Sequence, residues 1–164
     1  MPVILDIEAS GFGKGSYPIE IGVAADDGTS YSWLVLPEPD WTHWRDEAAA
    51  LHKISREELI SNGLKPVVIA EQLNDLFEGQ ILYSDGWGFD SGWLSLLFYV
   101  ARKNMLFRLD TLPKVLTEYQ LEHWDKTKAD LRLKHAWTHH RAEQDAKLLQ
   151  LTYKKTAINE ALEK

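Results

Sequence analysis

The stretch Val3-Ile4-Leu5-Asp6-Ile7-Glu8-Ala9-Ser10-Gly11-Phe12 constrains this chain more than any other. Val3, Ile4, Leu5 and Ile7 favour a strand, and Gly11 ends the run. Side chains alternate across a strand, so Asp6 and Glu8 point to the same face. Two neighbouring carboxylates repel unless a cation joins them. A pair of hard divalent metals, which take oxygen ligands, is the usual resolution. A solvated strand face would carry the same Asp-x-Glu pattern, so the pair gains meaning only from later stretches.

At 164 residues the chain is long enough for one domain, 1–164, with its own core. Apolar residues make up 45% and charged residues 26%, which excludes a disordered polymer. There is no cysteine, so disulfide and thiolate chemistry are excluded, and a reducing cytoplasm is expected. No basic segment precedes an apolar run at the N-terminus, so no signal peptide is expected. The longest apolar stretch, Trp93 to Ala101, is too short to span a membrane. A net charge of −7 argues against duplex binding through a broad basic face. It leaves room for a nucleic-acid enzyme, because an acidic site attracts phosphate once metals load.

The order of elements predicts a mixed sheet flanked by helices. Pro18 to Ala25 and Tyr31 to Leu36 read as the second and third strands, with Asp26-Asp27-Gly28 as the turn. Short turns imply an antiparallel start. Pro37 to Trp44 reads as a loop. Ser55 and Glu58 mark a helix start, and Pro66 opens a helix to about Phe77. Gln80 to Tyr83 reads as a short strand, and Asp90-Ser91 as the start of a deeply packed helix over Trp93 to Arg102. Leu106 to Leu109 follows as a strand, with Asp110 or Thr111 capping the next helix. The stretch from Glu118 to Thr138 shows no clear period. Arg141 to about Glu163 carries the last helix.

Two further stretches carry acids. In Tyr83-Ser84-Asp85-Gly86-Trp87-Gly88-Phe89-Asp90 a strand ends, glycines let the backbone turn, and an acid opens a helix. Asp90 could serve only as a cap, and Asp85 competes with it as the functional acid. In His139-His140-Arg141-Ala142-Glu143-Gln144-Asp145-Ala146, His140 and Asp145 are five apart. On one continuous helix they would lie about 140° apart. For both to reach one site, His140 must precede the helix and Asp145 must sit near its first turn. The simpler alternative is a surface histidine and a first-turn acid favoured by the helix dipole.

Together Asp6-Ile7-Glu8, Phe89-Asp90 and His140-x-x-x-x-Asp145 resemble the three motifs of the DnaQ-like 3′–5′ exonucleases of the DEDDh type. Ser10-Gly11-Phe12 stands where that family has Thr-Gly-Leu, and Pro18-Ile19-Glu20-Ile21-Gly22 resembles its second strand. Leu51-His52-Lys53-Ile54-Ser55, Asp110-Thr111-Leu112 and His140-Arg141-Ala142 are similar to further family segments. The resemblance covers residues 3 to 151. The tyrosine subtype would need Tyr at position 141, which is Arg. Gly86 stands in place of the family's Asn, Phe12 in place of Leu, and Lys53 in place of Gly. None of these departures removes an acid. The other histidines, His43, His52, His123, His135 and His139, are expected at surface or packing positions.

The resemblance implies an α/β, ribonuclease H-like fold: a five-stranded mixed sheet, its first three strands antiparallel, flanked by helices. It implies hydrolysis of single-stranded DNA or RNA from a free 3′ end, with release of nucleoside 5′-monophosphates. Asp6, Glu8, Asp90 and Asp145 would hold two Mg²⁺ or Mn²⁺ ions about 4 Å apart. Asp6 would bridge them, His140 would be the general base, and Ser10, Gly11 and Phe12 would contact substrate. Two rivals stand beside this reading. One is a catalytically silent module binding nucleic acid or protein on the same fold. The other is an acidic scaffold whose Trp41-Thr42-His43-Trp44 and Trp87 bind a protein.

Overall fold

The computed structural model describes residues 1–137 and 140–163. Its centre is a five-stranded sheet in the order β3-β2-β1-β4-β5. The strands are β1 (Val3–Ala9), β2 (Pro18–Ala24), β3 (Ser30–Leu34), β4 (Ile81–Ser84) and β5 (Arg108–Thr111). β1, β2 and β3 pair antiparallel, while β4 joins β1, and β5 joins β4, in parallel. Among the described residues, six α-helices surround the sheet: α1 (Asp46–His52), α2 (Arg56–Asn62), α3 (Pro66–Phe77), α4 (Trp87–Ala101), α5 (Glu118–Lys134) and α6 (Ala142–Glu163). The expected mixed sheet with an antiparallel start is the observed one. Among the described residues, no helix is long and apolar enough to cross a membrane.

Strand alternation divides the core between the two faces of β1. Val3, Leu5 and Ile7 pack with Ile19, Ile21 and Val23 of β2 and with apolar residues of α3 and α4. Ile4 packs on the opposite face with Ala24, Trp124 of α5, and Ala146 and Leu149 of α6. Asp6 and Glu8 share the phase of Ile4, so their face is the one that α6 covers. Gly22 is paired with Asp6 in the antiparallel register. A Cβ at Gly22 would lie only 2.1 Å from the Glu143 backbone nitrogen and 2.2 Å from the Ala142 carbonyl carbon. The missing side chain therefore lets the first turn of α6 rest directly on β2, beside Asp6.

Local chemistry explains the helix starts. Ser55 accepts from the Glu58 backbone N–H at 3.1 Å, and Pro66 opens α3, both as expected. Three expectations change. α4 begins at Trp87 rather than after Asp90, with Gly86 at its N-cap, so Asp90 sits inside the first turn and does not cap it. α4 is not buried all round either: Phe89, Tyr99 and Trp87 are exposed. Arg108–Thr111 forms the fifth strand, displaced from Leu106 to Leu109, and Thr111 makes no capping bond to the 3-10 turn after it. The unread region is one long helix, α5. Its capping box has Thr117 accepting from the Gln120 N–H while the Gln120 side chain accepts from the Thr117 N–H.

Candidate active site

Asp6 lies in the middle of β1 and Glu8 near its end, Asp90 in the first turn of α4, and Asp145 in the first turn of α6. All four, with His140, line one cavity of about 730 Å³. The ligand atoms of Glu8, His140 and Asp145 fall within 4.8 Å of one another. His140 precedes α6, as its spacing from Asp145 required, with Nδ1 3.7 Å from Asp145 Oδ2. Its backbone N–H donates to the Leu51 carbonyl of α1 at 3.3 Å, and its side chain is about half exposed. His139 lies outside the described residues. Asp85 also lines the cavity, at the end of β4.

Burial and crowding oppose four negative charges here. The Asp6 carboxyl is pushed well above the usual range by burial first, then by Asp90, Glu8 and Asp145. Glu8 is pushed up to about 8 by burial and then by Asp145. Asp90 rises to about 7, chiefly through burial, against a hydrogen bond from the Ser84 hydroxyl. Asp145 is raised by burial, against the lowering effect of Arg132. Oxygen donors that resist ionisation together, yet converge, fit hard divalent cations. The chemistry of the donor set therefore suits Mg²⁺ or Mn²⁺.

A stability prediction follows from these directions. Each raised carboxyl makes the folded chain hold more protons than the unfolded chain, from the ordinary range near ~4 up to the shifted values. Stability of the metal-free chain therefore falls as pH rises through that window. Burial lowers the titration of His52, which gives an opposite slope below its ordinary value. The measurement thus belongs between about pH 6.5 and pH 8. The thermal midpoint in EDTA should drop over this range, and Mn²⁺ should raise it more at the upper end. A metal-free midpoint that climbs with pH would contradict the arrangement.

Behind the site lies an anchor that motif spacing alone did not expose. Glu20 on β2 is buried and accepts a fork of bonds from Arg141, at 2.8 Å from Nη2 and 3.0 Å from Nε. It also accepts from the Ala142 backbone N–H at 3.1 Å, at the start of α6. Glu20 therefore fixes the residues on either side of the α6 start and, through them, His140 and Asp145. Removing one partner of a buried pair typically costs ~3–5 kcal/mol. Arg141 keeps some access to water, so Glu20→Ala should cost about 3 kcal/mol, the lower end of that range. Urea unfolding checks the figure, and a loss below about 0.5 kcal/mol, the size of an ordinary surface substitution, would remove the anchor from the account.

The predicted substrate residues divide. Phe12 and Gly11 line the cavity. Gly11 has φ +140°, and a Cβ there would lie 2.5 Å from Arg45 Cγ, so both conformation and space call for glycine. Ser10 is placed apart from them: it is fully buried, and its hydroxyl accepts from the Tyr17 N–H at 3.1 Å and pairs with His43 Nδ1 at 2.8 Å, which fixes the turn that carries Gly11 and Phe12. Phe12 is 65% exposed and stands against Phe89, ring centroids 4.9 Å apart, and Trp93, at 5.9 Å. Phe89 and Trp93 were not expected at the wall. Their spacing of four on α4 places them on one helix face, which is the signal that could have found them. Of the Trp-rich loop, Trp41 is buried on Tyr17 and Trp44 packs on His52, so these two rings serve the core.

Comparison with solved structures agrees with this architecture. Exonuclease I of E. coli bound to a 5cy-dA13 oligonucleotide superposes with a TM-score of 0.65 at 13% identity, over 95% of this chain and 41% of that one. The two chains share one fold. The zinc-bound E. coli exonuclease I–ssDNA complex matches with a TM-score of 0.61 at 14% identity, over 95% of this chain and 41% of that one. Exonuclease I of Methylocaldum szegediense matches with a TM-score of 0.57 at 15% identity, over 74% and 29%. This chain thus spans less than half the length of these exonuclease I chains. No family model and no curated protein matches the sequence.

Proposed function

We propose that the chain is a metal-dependent 3′–5′ exonuclease acting on single-stranded nucleic acid and releasing nucleoside 5′-monophosphates. One observation carries this reading: Asp6, Glu8, Asp90, Asp145 and His140, from three separate stretches of the chain, meet in one cavity beside an exposed aromatic cluster. The neighbours' single-stranded DNA complexes support the substrate class. The reducing cytoplasm suits a chain without cysteine.

The acids Asp6, Glu8, Asp90 and Asp145 would hold two Mg²⁺ or Mn²⁺ ions. Such ions, when bound, supply Lewis-acid polarisation of the phosphodiester and ease ionisation of water. His140 then accepts the proton from the attacking water. Its backbone is anchored by the bond of its N–H to Leu51 and by the neighbouring Arg141–Glu20 fork, and its half-exposed ring lines the cavity. Attack on phosphorus breaks the bond to the 3′ oxygen of the preceding nucleotide, and the terminal nucleotide leaves with its 5′-phosphate.

Phe12, with Phe89 and Trp93 behind it, offers a face to the terminal base. Stacking of this kind is worth ~1–3 kcal/mol per base and tolerates any sequence. Phe12→Ala should weaken oligonucleotide binding by about tenfold or more, at about 1.4 kcal/mol per decade. Fluorescence anisotropy measures this, and unchanged affinity would take Phe12 out of the substrate site. The end requirement is tested with a linear strand, the same strand carrying a 3′-phosphate, and a circular strand. Only the first should be degraded, and equal rates on the circle would refute an exonuclease.

A further inference from the structure

Two cations reach into the acidic cavity from α5. Lys128 and Arg132 are one helical turn apart, so they share a face, and both line the cavity. Arg132 Nη2 lies 2.6 Å from Asp145 Oδ1, and Lys128 Nζ lies 3.8 Å from Asp85 Oδ2. Lys126, on the same helix, points out and pairs with Asp130. In a chain of net charge −7, two cations of one helix face turned to the acids, with Arg45 the third cation of the cavity wall, are a selective placement.

Their pairing conflicts with the reading of Asp145 as a metal ligand. An oxygen held by a guanidinium at 2.6 Å is not free for a dication, and a dication next to that guanidinium is repelled. Metal loading through Oδ1 must therefore displace Arg132 from Asp145, and loading through Oδ2, which faces His140, still sets the ion beside the guanidinium and favours the same release. The Arg132 side chain is long and one-third exposed, so it can turn within the cavity. A displaced guanidinium needs an anion, and a phosphodiester strand provides one with matching fork geometry.

We propose that Arg132 is a two-position residue: counter-ion of Asp145 while the acids are metal-free, and ligand of a backbone phosphate of the single strand once they are loaded, with Lys128 one turn away on the same phosphate run. The proposal rests on the exonuclease reading and names part of its substrate site. The two positions give opposite signs in one variant. Removing Arg132 removes a competitor for Asp145 and also removes a phosphate contact.

The test compares wild type, Arg132→Gln, Arg132→Lys and Lys128→Gln. Calorimetric titration with Mn²⁺ alone is set beside anisotropy with a fluorescent oligo-dT that carries phosphorothioate linkages at its 3′ end, in Mn²⁺, across a salt series. Arg132→Gln should bind Mn²⁺ severalfold tighter without nucleic acid. It should bind the oligonucleotide about tenfold weaker, the usual scale for a lost charged hydrogen bond. The log–log salt slope should shrink by about 0.7, one phosphate contact on a single strand. Lys128→Gln should lower the slope without tightening Mn²⁺, and Arg132→Lys should fall between wild type and Arg132→Gln. Circular dichroism confirms that each variant is folded. Unchanged Mn²⁺ affinity in Arg132→Gln overturns the exchange, and unchanged oligonucleotide affinity and slope overturn the phosphate position. A wild type that binds Mn²⁺ but no oligonucleotide overturns the exonuclease reading itself, and the proposal with it.

Discussion

Asp6→Asn and Asp145→Asn should each reduce turnover by at least ~10³-fold, since divalent ions supply several kcal/mol of transition-state stabilisation at about 1.4 kcal/mol per decade. Asp6 is the centre of the arrangement, with its charge opposed by Asp90, Glu8 and Asp145. On the proposed mechanism, an amide at that position would leave the remaining acids too few to hold the cations. The same substitution removes a carboxyl that burial and its neighbours hold well above its usual range. Asp6→Asn should therefore leave the thermal midpoint in EDTA at pH 8 unchanged or higher, while the gain on adding Mn²⁺ shrinks. The two readouts together separate a lost metal site from a lost fold. Wild-type turnover in the Asp6→Asn protein, or wild-type activity in excess EDTA, would end the two-metal reading.

His140→Ala should lower the rate by roughly 10²–10⁴-fold, the usual size of a general-base contribution. His140 stands outside α6 with Nδ1 3.7 Å from Asp145 Oδ2, close to the acids without being buried among them. The acids remain after the substitution, so Mn²⁺ affinity should change little. That split between rate and metal binding distinguishes a base from a third ligand, a role its proximity to Glu8 and Asp145 also allows. Loss of Mn²⁺ affinity in parallel with rate would assign His140 to the metal. Near wild-type turnover would leave it with neither role. His139→Ala, at the neighbouring position, should do little.

The parts of this fold legible in the sequence are those where local chemistry and tertiary packing agree. Asp6 and Glu8 share a face because β1 alternates, and Pro66 and Ser55 start their helices by satisfying or removing exposed donors. His140 and Asp145 needed a helix to begin between them, and α6 begins at Ala142. Misreadings came where packing outweighs local preference. Gly86 and Gly88 suggest a turn, yet α4 starts at Trp87, because docking onto the sheet stabilises a helix that its glycines disfavour. α5 is polar over most of its surface and buries only Gln120 and Trp124, so no apolar stripe announced it. Its Thr117 and Gln120 capping box was nonetheless readable. The resemblance of Ser10-Gly11-Phe12 groups Ser10 with the substrate residues, and only the fold reveals Tyr17 and His43 as partners of its hydroxyl. The contacts of Arg132 with Asp145 and of Glu20 with Arg141 join residues distant in the chain. Pairings of that kind depend on how α5, α6 and β2 are assembled, and no spacing rule encodes them.

The most direct measurement is digestion of a 5′-labelled single-stranded oligonucleotide by the wild-type chain, with Mn²⁺ and then with excess EDTA, resolved by length and with the released products identified. The account predicts a ladder shortening from the 3′ end and nucleoside 5′-monophosphates in Mn²⁺, with the strand intact in EDTA. Shortening that persists in EDTA, internal cuts, or 3′-monophosphate products would contradict it.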